Sequence, residues 1–201
     1  YYNSAYIDIV VGVFMILFGA NFSLYYLILL GNIRTALRNE ELRWFLGIIA
    51  FAVLTIAFDI RNLYGGVGHA LRYSFFQVTS IISTTGFATA DFNLWPEYSK
   101  FLLVLLMFVG GSSGSTAGGL KTVTLGVVVL AAVGTARGRS RASVFRHTIP
   151  QEKVSQAMTL FMLMLTLAFV GAALICACSG CSLSTALYET VSALATVGLT
   201  A

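Results

Sequence analysis

Apolar positions gather into four long stretches, Tyr6 to Leu30, Trp44 to Ile60, Phe101 to Val133 and Met158 to Cys178, separated by short polar segments. A helix that crosses the hydrocarbon layer needs about 20 mostly apolar residues, so each stretch predicts a spanning helix. The third is too long for one unbroken span. Two further segments, Leu71 to Ser83 and Ser184 to Ala195, are too brief to cross and run into residues that favour extended backbone. They predict re-entrant helices, and the expected fold class is all-α integral membrane.

The pattern repeats. Displaced by 112 positions, Phe76 to Phe87 lies over Tyr188 to Leu199, and Ser80, Thr84 and Gly86 match Ser192, Thr196 and Gly198. The same shift lays Trp44 to Ile60 onto Gln156 to Ala172. The repeated unit is a long helix, a short helix and a Thr-x-Gly tail, and internal symmetry of this kind is common in transporters. One isolated Thr-x-Gly would be read as a loop between helices; two copies in equivalent contexts favour a pore. Non-helical backbone at membrane depth persists only in protein or beside a watery cavity. Each short helix points its negative dipole end at the tail, which favours a cation, and tail carbonyls can replace its water. The candidate ion-binding residues are Thr84, Thr85, Gly86 and Phe87 with Thr196, Val197, Gly198 and Leu199. Gly86 and Gly198 come first, because turning successive carbonyls inward requires backbone that other residues resist.

Inside the third stretch runs Gly110-Gly111-Ser112-Ser113-Gly114-Ser115-Thr116-Ala117-Gly118-Gly119, followed by Lys121. Each Gly weakens a helix by nearly 1 kcal/mol relative to Ala, so the helix is expected to break here, as in helices that line transport pathways. A phosphate-binding loop is the rival reading, since Gly114 to Thr122 reads Gly-x-x-x-x-Gly-Leu-Lys-Thr. It misses by one residue, Leu120, and its flanks are apolar spans instead of a soluble strand and helix. The four hydroxyls of Ser112, Ser113, Ser115 and Thr116 are expected to satisfy unwound backbone before they contact an ion. Lys121 has two open readings, repulsion of cations at a closed gate or snorkelling to the interface.

Charge adds orientation. Arg34, Arg38 and Arg43 cluster in one polar loop and Arg137, Arg139, Arg141, Arg146 and Lys153 in another, which predicts both loops on the cytoplasmic side. The opposite segments hold only Arg61, Arg72 and Lys100, with the acids Asp91 and Glu97 as candidates for an attracting outer mouth. The isoelectric point near 9.1 then reflects topology and not nucleic-acid binding. A composition of 58% hydrophobic and 10% charged residues, with mean hydropathy +0.86, accords with lipid as solvent. Tyr1 to Asp8 carries no Lys or Arg, so the first stretch is not a cleaved signal peptide. With no initiator Met, the chain is expected to be a piece of a longer one.

Gln77 and its repeat mate Glu189 put a polar side chain behind each tail and are expected to support the filter. Cys176, Cys178 and Cys181 lack a fourth ligand and a nearby His, so they read as small packing residues, with a Cys178–Cys181 disulfide left open. His69 and His147 read as loop residues. With no nucleophile elbow, no paired His and no acid pair beyond the adjacent Glu40 and Glu41, the chain is expected not to be an enzyme.

Three runs, Ser83 to Phe92, Gly110 to Lys121 and Ala195 to Thr200, resemble in order and spacing the Trk/Ktr/HKT superfamily of potassium transporters, and Asn21 to Tyr26 resembles its TrkH branch. The resemblance implies fused potassium-channel-like repeats, each with a membrane helix, a pore helix, a filter strand and a second membrane helix. It implies that residues 1–30 close a second repeat, 31–43 form a cytoplasmic loop and 44–133 make the third repeat. Residues 134–155 would be a second cytoplasmic loop and 156–201 the opening of the fourth repeat, so that half the pore lies outside the chain. It further implies K+ as transported ion, with Na+ an alternative, and no organic cofactor. Gly110 to Gly119 becomes an intramembrane gate. The implied partners are membrane lipid, a second copy in a homodimer and a cytosolic nucleotide-binding RCK-type (TrkA/KtrA-like) regulatory subunit, with no nucleic acid. The two basic loops are its natural docking surfaces. The implied location is a bacterial inner membrane, filter side outward. A pore-loop channel of another family, and a membrane scaffold or enzyme with packing-only repeats, remain as alternatives.

Overall fold

In a computed structural model, residues 4–137, 143–144, 147–148 and 150–200 are described. Arg139, Arg141 and Arg146 of the second basic loop lie outside the described residues. The helices are α1 (Ala5–Gly19), α2 (Phe22–Leu29), α3 (Ile33–Leu37), α4 (Glu40–Ile60), α5 (Val67–Ile82), α6 (Glu97–Val109), α7 (Thr122–Ala136), α8 (Gln151–Ser179) and α9 (Leu183–Leu194). A 3-10 turn (Phe92–Leu94) precedes α6, and a two-residue antiparallel pair, β1 (Ser143–Val144) with β2 (His147–Thr148), lies between α7 and α8.

Two helices, α4 and α8, are long and apolar enough to cross a membrane. With 21 residues α4 rises about 31 Å, close to the roughly 30 Å of hydrocarbon. The single span expected over Tyr6 to Leu30 is instead two helices, α1 and α2, bent by 93°. The cause is local: Ala20 and Asn21 are extended, and the Asn21 side chain accepts the Ser23 N–H at 2.9 Å, capping α2. The third stretch breaks as expected, into α6, a loop over 110–121, and α7. The short helices α5 and α9, at 16 and 12 residues, rise only about 24 and 18 Å. His69, expected in a loop, lies in the first turn of α5.

One core joins both short helices to α4 and α6: Phe45, Ile56, Ile60, Val78, Ile81, Ile82, Leu103, Met107 and Val191 are all buried in it. Outside, Phe51, Phe58, Phe101, Leu163 and Phe169 are exposed, a belt that lipid satisfies and water would not. α8 buries mainly small residues, Ala157, Ala168 and Ala172, and a Cβ built on Gly171 would stand 2.5 Å from the Thr190 methyl. Such small contacts allow helices to approach closely where lipid gives no hydrophobic drive between them.

Candidate functional site: two Thr-x-Gly strands on a glycine-rich loop

Each short helix delivers its chain into the tail by the same hydrogen bonds. Thr85 N–H donates to Ser80 O at 2.9 Å, and Val197 N–H to Ser192 O at 2.9 Å. The Ser80 hydroxyl donates to Phe87 O at 2.6 Å, and the Ser192 hydroxyl to Leu199 O at 2.6 Å. The 112-residue repeat is therefore written in the hydrogen bonds as well as in the letters, and these serines tie the far end of each strand to its own helix. Removing one leaves a carbonyl without its donor at a cost of about 1 kcal/mol. Ser80→Ala is expected to lower the thermal midpoint of the purified protein, and Ser80→Thr, which keeps the hydroxyl, to lower it less.

Backbone in both strands is left-handed at alternate residues: φ is +55° at Thr84 and +74° at Gly86, +59° at Thr196 and +80° at Gly198. The glycines were anticipated; the threonines were not. A β-branched residue resists positive φ, so two at equivalent positions mark strain of about 1–2 kcal/mol each that the surroundings hold in place. Side chains in the second strand alternate cleanly, with Ala195, Val197 and Leu199 buried and Thr196, Gly198 and Thr200 exposed. The counterparts Thr85 and Phe87 are exposed, Phe87 at 56%. Beside them a cavity of about 700 Å³ opens between α1, α5 and the first strand.

The two strands also touch each other and the glycine-rich loop. A Cβ on Gly86 would overlap the Val197 carbonyl oxygen. Gly118 N–H donates to the Thr84 hydroxyl at 2.8 Å, while a Cβ there would overlap the Thr196 hydroxyl and stand 2.5 Å from Ala195 O. The loop thus packs against the base of both strands through one residue that has no side chain.

Elsewhere the loop is pinned by its own backbone. Ser112 N–H donates to Gly19 O at 2.9 Å, Thr116 N–H to Phe18 O at 3.3 Å, and Phe22 N–H to Gly114 O at 3.2 Å. Ser113 N–H donates to Glu41 Oε1 at 2.5 Å. The Ser115 hydroxyl donates to Ser112 O at 2.6 Å and that of Thr116 to Phe18 O at 3.2 Å. Those two hydroxyls therefore serve the unwound backbone. Loop N–H groups engaged by protein acceptors do not form the open cradle that a phosphate needs, and the loop reads as packing and not as a nucleotide site. Lys121 donates from Nζ to Ala117 O, folding back on the loop it follows.

Gln77 is fully buried in α5, its amide without a hydrogen-bond partner among the described residues, and Glu189 is half-buried on α9. Of the acids proposed for a mouth, Asp91 accepts the Asn93 N–H at 3.0 Å and Glu97 pairs with Lys100 at 3.1 Å. Cys176, Cys178 and Cys181 are free thiols.

Two features were missed. Asp8, buried, and Arg72, part-buried, form an ion pair at 2.7 Å between α1 and α5, flanking the cavity; a carboxylate at the start of an apolar span signals a partner. Glu41, dismissed beside Glu40 as a loop residue, sits in the first turn of α4 with its carboxylate on the glycine-rich loop. No local pattern marks it.

The TrkH family profile, described as a cation transport protein, matches residues 1–201. The Trk system potassium uptake protein TrkH of Salmonella typhimurium is 32% identical over 128 residues, 62% of this chain and 26% of that protein. The Ktr system potassium uptake protein B of Bacillus subtilis is 31% identical over 156 residues, 75% of this chain and 35% of that protein. The potassium/sodium uptake protein NtpJ of Enterococcus hirae is 36% identical over 58% of this chain and 27% of that protein. The chain therefore spans between a quarter and about a third of these relatives. In fold it superposes on the crystal structure of the potassium transporter TrkH from Vibrio parahaemolyticus with TM-score 0.87 and 24% identity, covering 98% of this chain and 44% of that one. The all-helical membrane fold and the resemblance read from the three runs accord with these matches, and a family of transporters accords with the non-enzyme reading. The chain belongs to the TrkH family of cation transport proteins.

Proposed function

We propose that this chain supplies two of the filter strands, and the gate, of a pore that takes up potassium across a bacterial plasma membrane. The observation that carries the reading is the pair of left-handed Thr-x-Gly strands, held to two short helices by the same serine bonds and capped by one loop. Alternating left-handed backbone is what turns successive carbonyls to one side, where they can substitute for an ion's water. The ligands are the backbone of Thr84 to Phe87 and of Thr196 to Leu199.

Residues 44–133 make one repeat and 156–201 the start of the next; 1–30 close a preceding one. The cavity beside Gly86 and Phe87 is where a strand of that preceding repeat fits. Gly110 to Gly119 with Lys121 form the gate, closed when Gly118 sits on Thr84 and Thr196. The basic segments 31–43 and 134–155 face the cytoplasm and receive an RCK-type nucleotide-binding regulator, and the strands face outward. The pore works in lipid, in a homodimer. Sodium is a second permeant ion worth testing, on the strength of the Enterococcus relative named for both.

The test is growth of a bacterium without potassium uptake, carrying the complete gene that contains this sequence. Growth restored at low potassium supports the reading. No growth and no potassium current, with the protein in the membrane beside its regulator, overturns it.

A further inference from the structure

Three segments far apart in the chain meet at one carboxylate. Glu41, in the first turn of α4, accepts the Ser113 N–H of the glycine-rich loop on Oε1 at 2.5 Å. Its Oε2 accepts from the Asn21 amide at 3.2 Å. Asn21 is the break between α1 and α2: its own side-chain oxygen caps α2, and on either side of it Gly19 O accepts the Ser112 N–H at 2.9 Å and the Phe22 N–H donates to Gly114 O at 3.2 Å. The Lys121 ammonium, at the other end of the loop, lies in the field of the same carboxylate. A half-buried carboxylate is unfavourable unless donors and a cation compensate it. Here each oxygen has a donor, one from the loop itself and one from the α1–α2 break on which the loop rests.

The other hydrogen bonds on the loop's first half, at Ser112 and Gly114, join neutral groups, so its one charge-assisted tether is the strongest there. The tether's anchor is the first turn of a long helix, and Glu41 itself lies within the basic segment 31–43. A rigid helix whose first turn moves carries Glu41 with it, and the carboxylate cannot leave Ser113 without also leaving Asn21.

We infer that Glu41 is the positioning residue that latches the glycine-rich loop shut, linking the first turn of α4 to the gate; the inference rests on the gate reading of that loop. Displacing that turn releases Ser113 and frees Gly118 from the filter base. Ion passage itself needs nothing from Glu41, whose hydrogen bonds go to Asn21 and Ser113 and not to either strand.

The experiment compares single-channel currents of the complete transporter in planar bilayers, without activating nucleotide, for wild type, Glu41→Gln and Asn21→Asp. Glutamine removes the charge and one acceptor at constant shape. Aspartate at 21 keeps the cap on α2 but loses the amide donor and sets a second negative charge against Glu41. Both variants are expected to raise open probability at least tenfold, the range set by loss of a charge-assisted hydrogen bond, with unit conductance and potassium-to-sodium permeability ratio unchanged. Wild-type open probability in both overturns the latch, as does failure of both to yield folded protein, which makes Glu41 a residue of the fold alone. A wild type that carries no potassium current sinks the pore reading instead.

Discussion

On the proposed pore reading, a complete transporter carrying Gly86→Ser is expected to lose its preference for potassium: growth at low potassium should fail, and the potassium-to-sodium permeability ratio should fall toward one. Two costs act together. The φ of +74° at this position is disfavoured by about 1–2 kcal/mol for any L side chain. Sterically, the new Cβ would overlap the Val197 carbonyl oxygen, which is backbone and cannot rotate away. The first strand must therefore shift or the second must give up its carbonyl position, and either change alters the spacing and number of oxygens on which selectivity depends. Gly198→Ser meets open space in this chain and carries only the left-handed strain, so it is expected to be the milder variant. Retained selectivity in Gly86→Ser, measured by reversal potential, would remove Gly86 from the filter.

Gly118→Ala produces the opposite defect, a pore that conducts without control. The added methyl would overlap the Thr196 hydroxyl and stand 2.5 Å from Ala195 O. A hydroxyl can rotate; the carbonyl belongs to the capped end of α9 and cannot. The loop is pushed off the filter base, the Gly118 N–H no longer reaches Thr84, and each 1.4 kcal/mol of displaced contact shifts the closed-to-open ratio tenfold. Basal potassium flux into proteoliposomes is expected to rise at least tenfold, with selectivity kept because both strands relax once the loop has left. Unchanged basal flux would mean that the loop does not close the path at Gly118.

What the letters revealed was what repeats or what has a period. Trp44 to Ile60 and Met158 to Cys178 announced α4 and α8 by length; the 112-residue offset placed both short helices and both glycines; five glycines in ten positions marked the broken helix. What stayed hidden depends on pairs of residues remote in the chain. Glu41 and Ser113 are 72 residues apart and Asp8 and Arg72 are 64 apart; Asp8 in an apolar run signals that a partner exists, but nothing local names Arg72. The bend at Asn21 was half legible, since Gly19-Ala20-Asn21 is a turn signal inside an apolar run, but the loop bonds to Phe18 O and Gly19 O that brace it come from residues remote in the chain. The left-handed threonines were invisible for a different reason. Intrinsic preference opposes that conformation for a β-branched residue, so only the completed packing imposes it.

The unequal cover of the two strands has a consequence for how such units are ordered. Val197 and Leu199 are buried in the same core as Phe92, Leu103 and Ile81 of the preceding unit, while their counterparts Thr85 and Phe87 stand open toward the side where α1 arrives. The second strand leans on the unit that comes before it, and its side chains differ from those of the first, which has no such cover here. A transporter assembled from copies of a single unit, or with its units exchanged in sequence, would bring Phe87 to a seat shaped for Leu199. On the proposed pore reading, the order of the units is then set by complementarity between successive units as well as by the peptide chain, and a circular permutant that keeps every neighbour is the rearrangement such a pore is expected to tolerate.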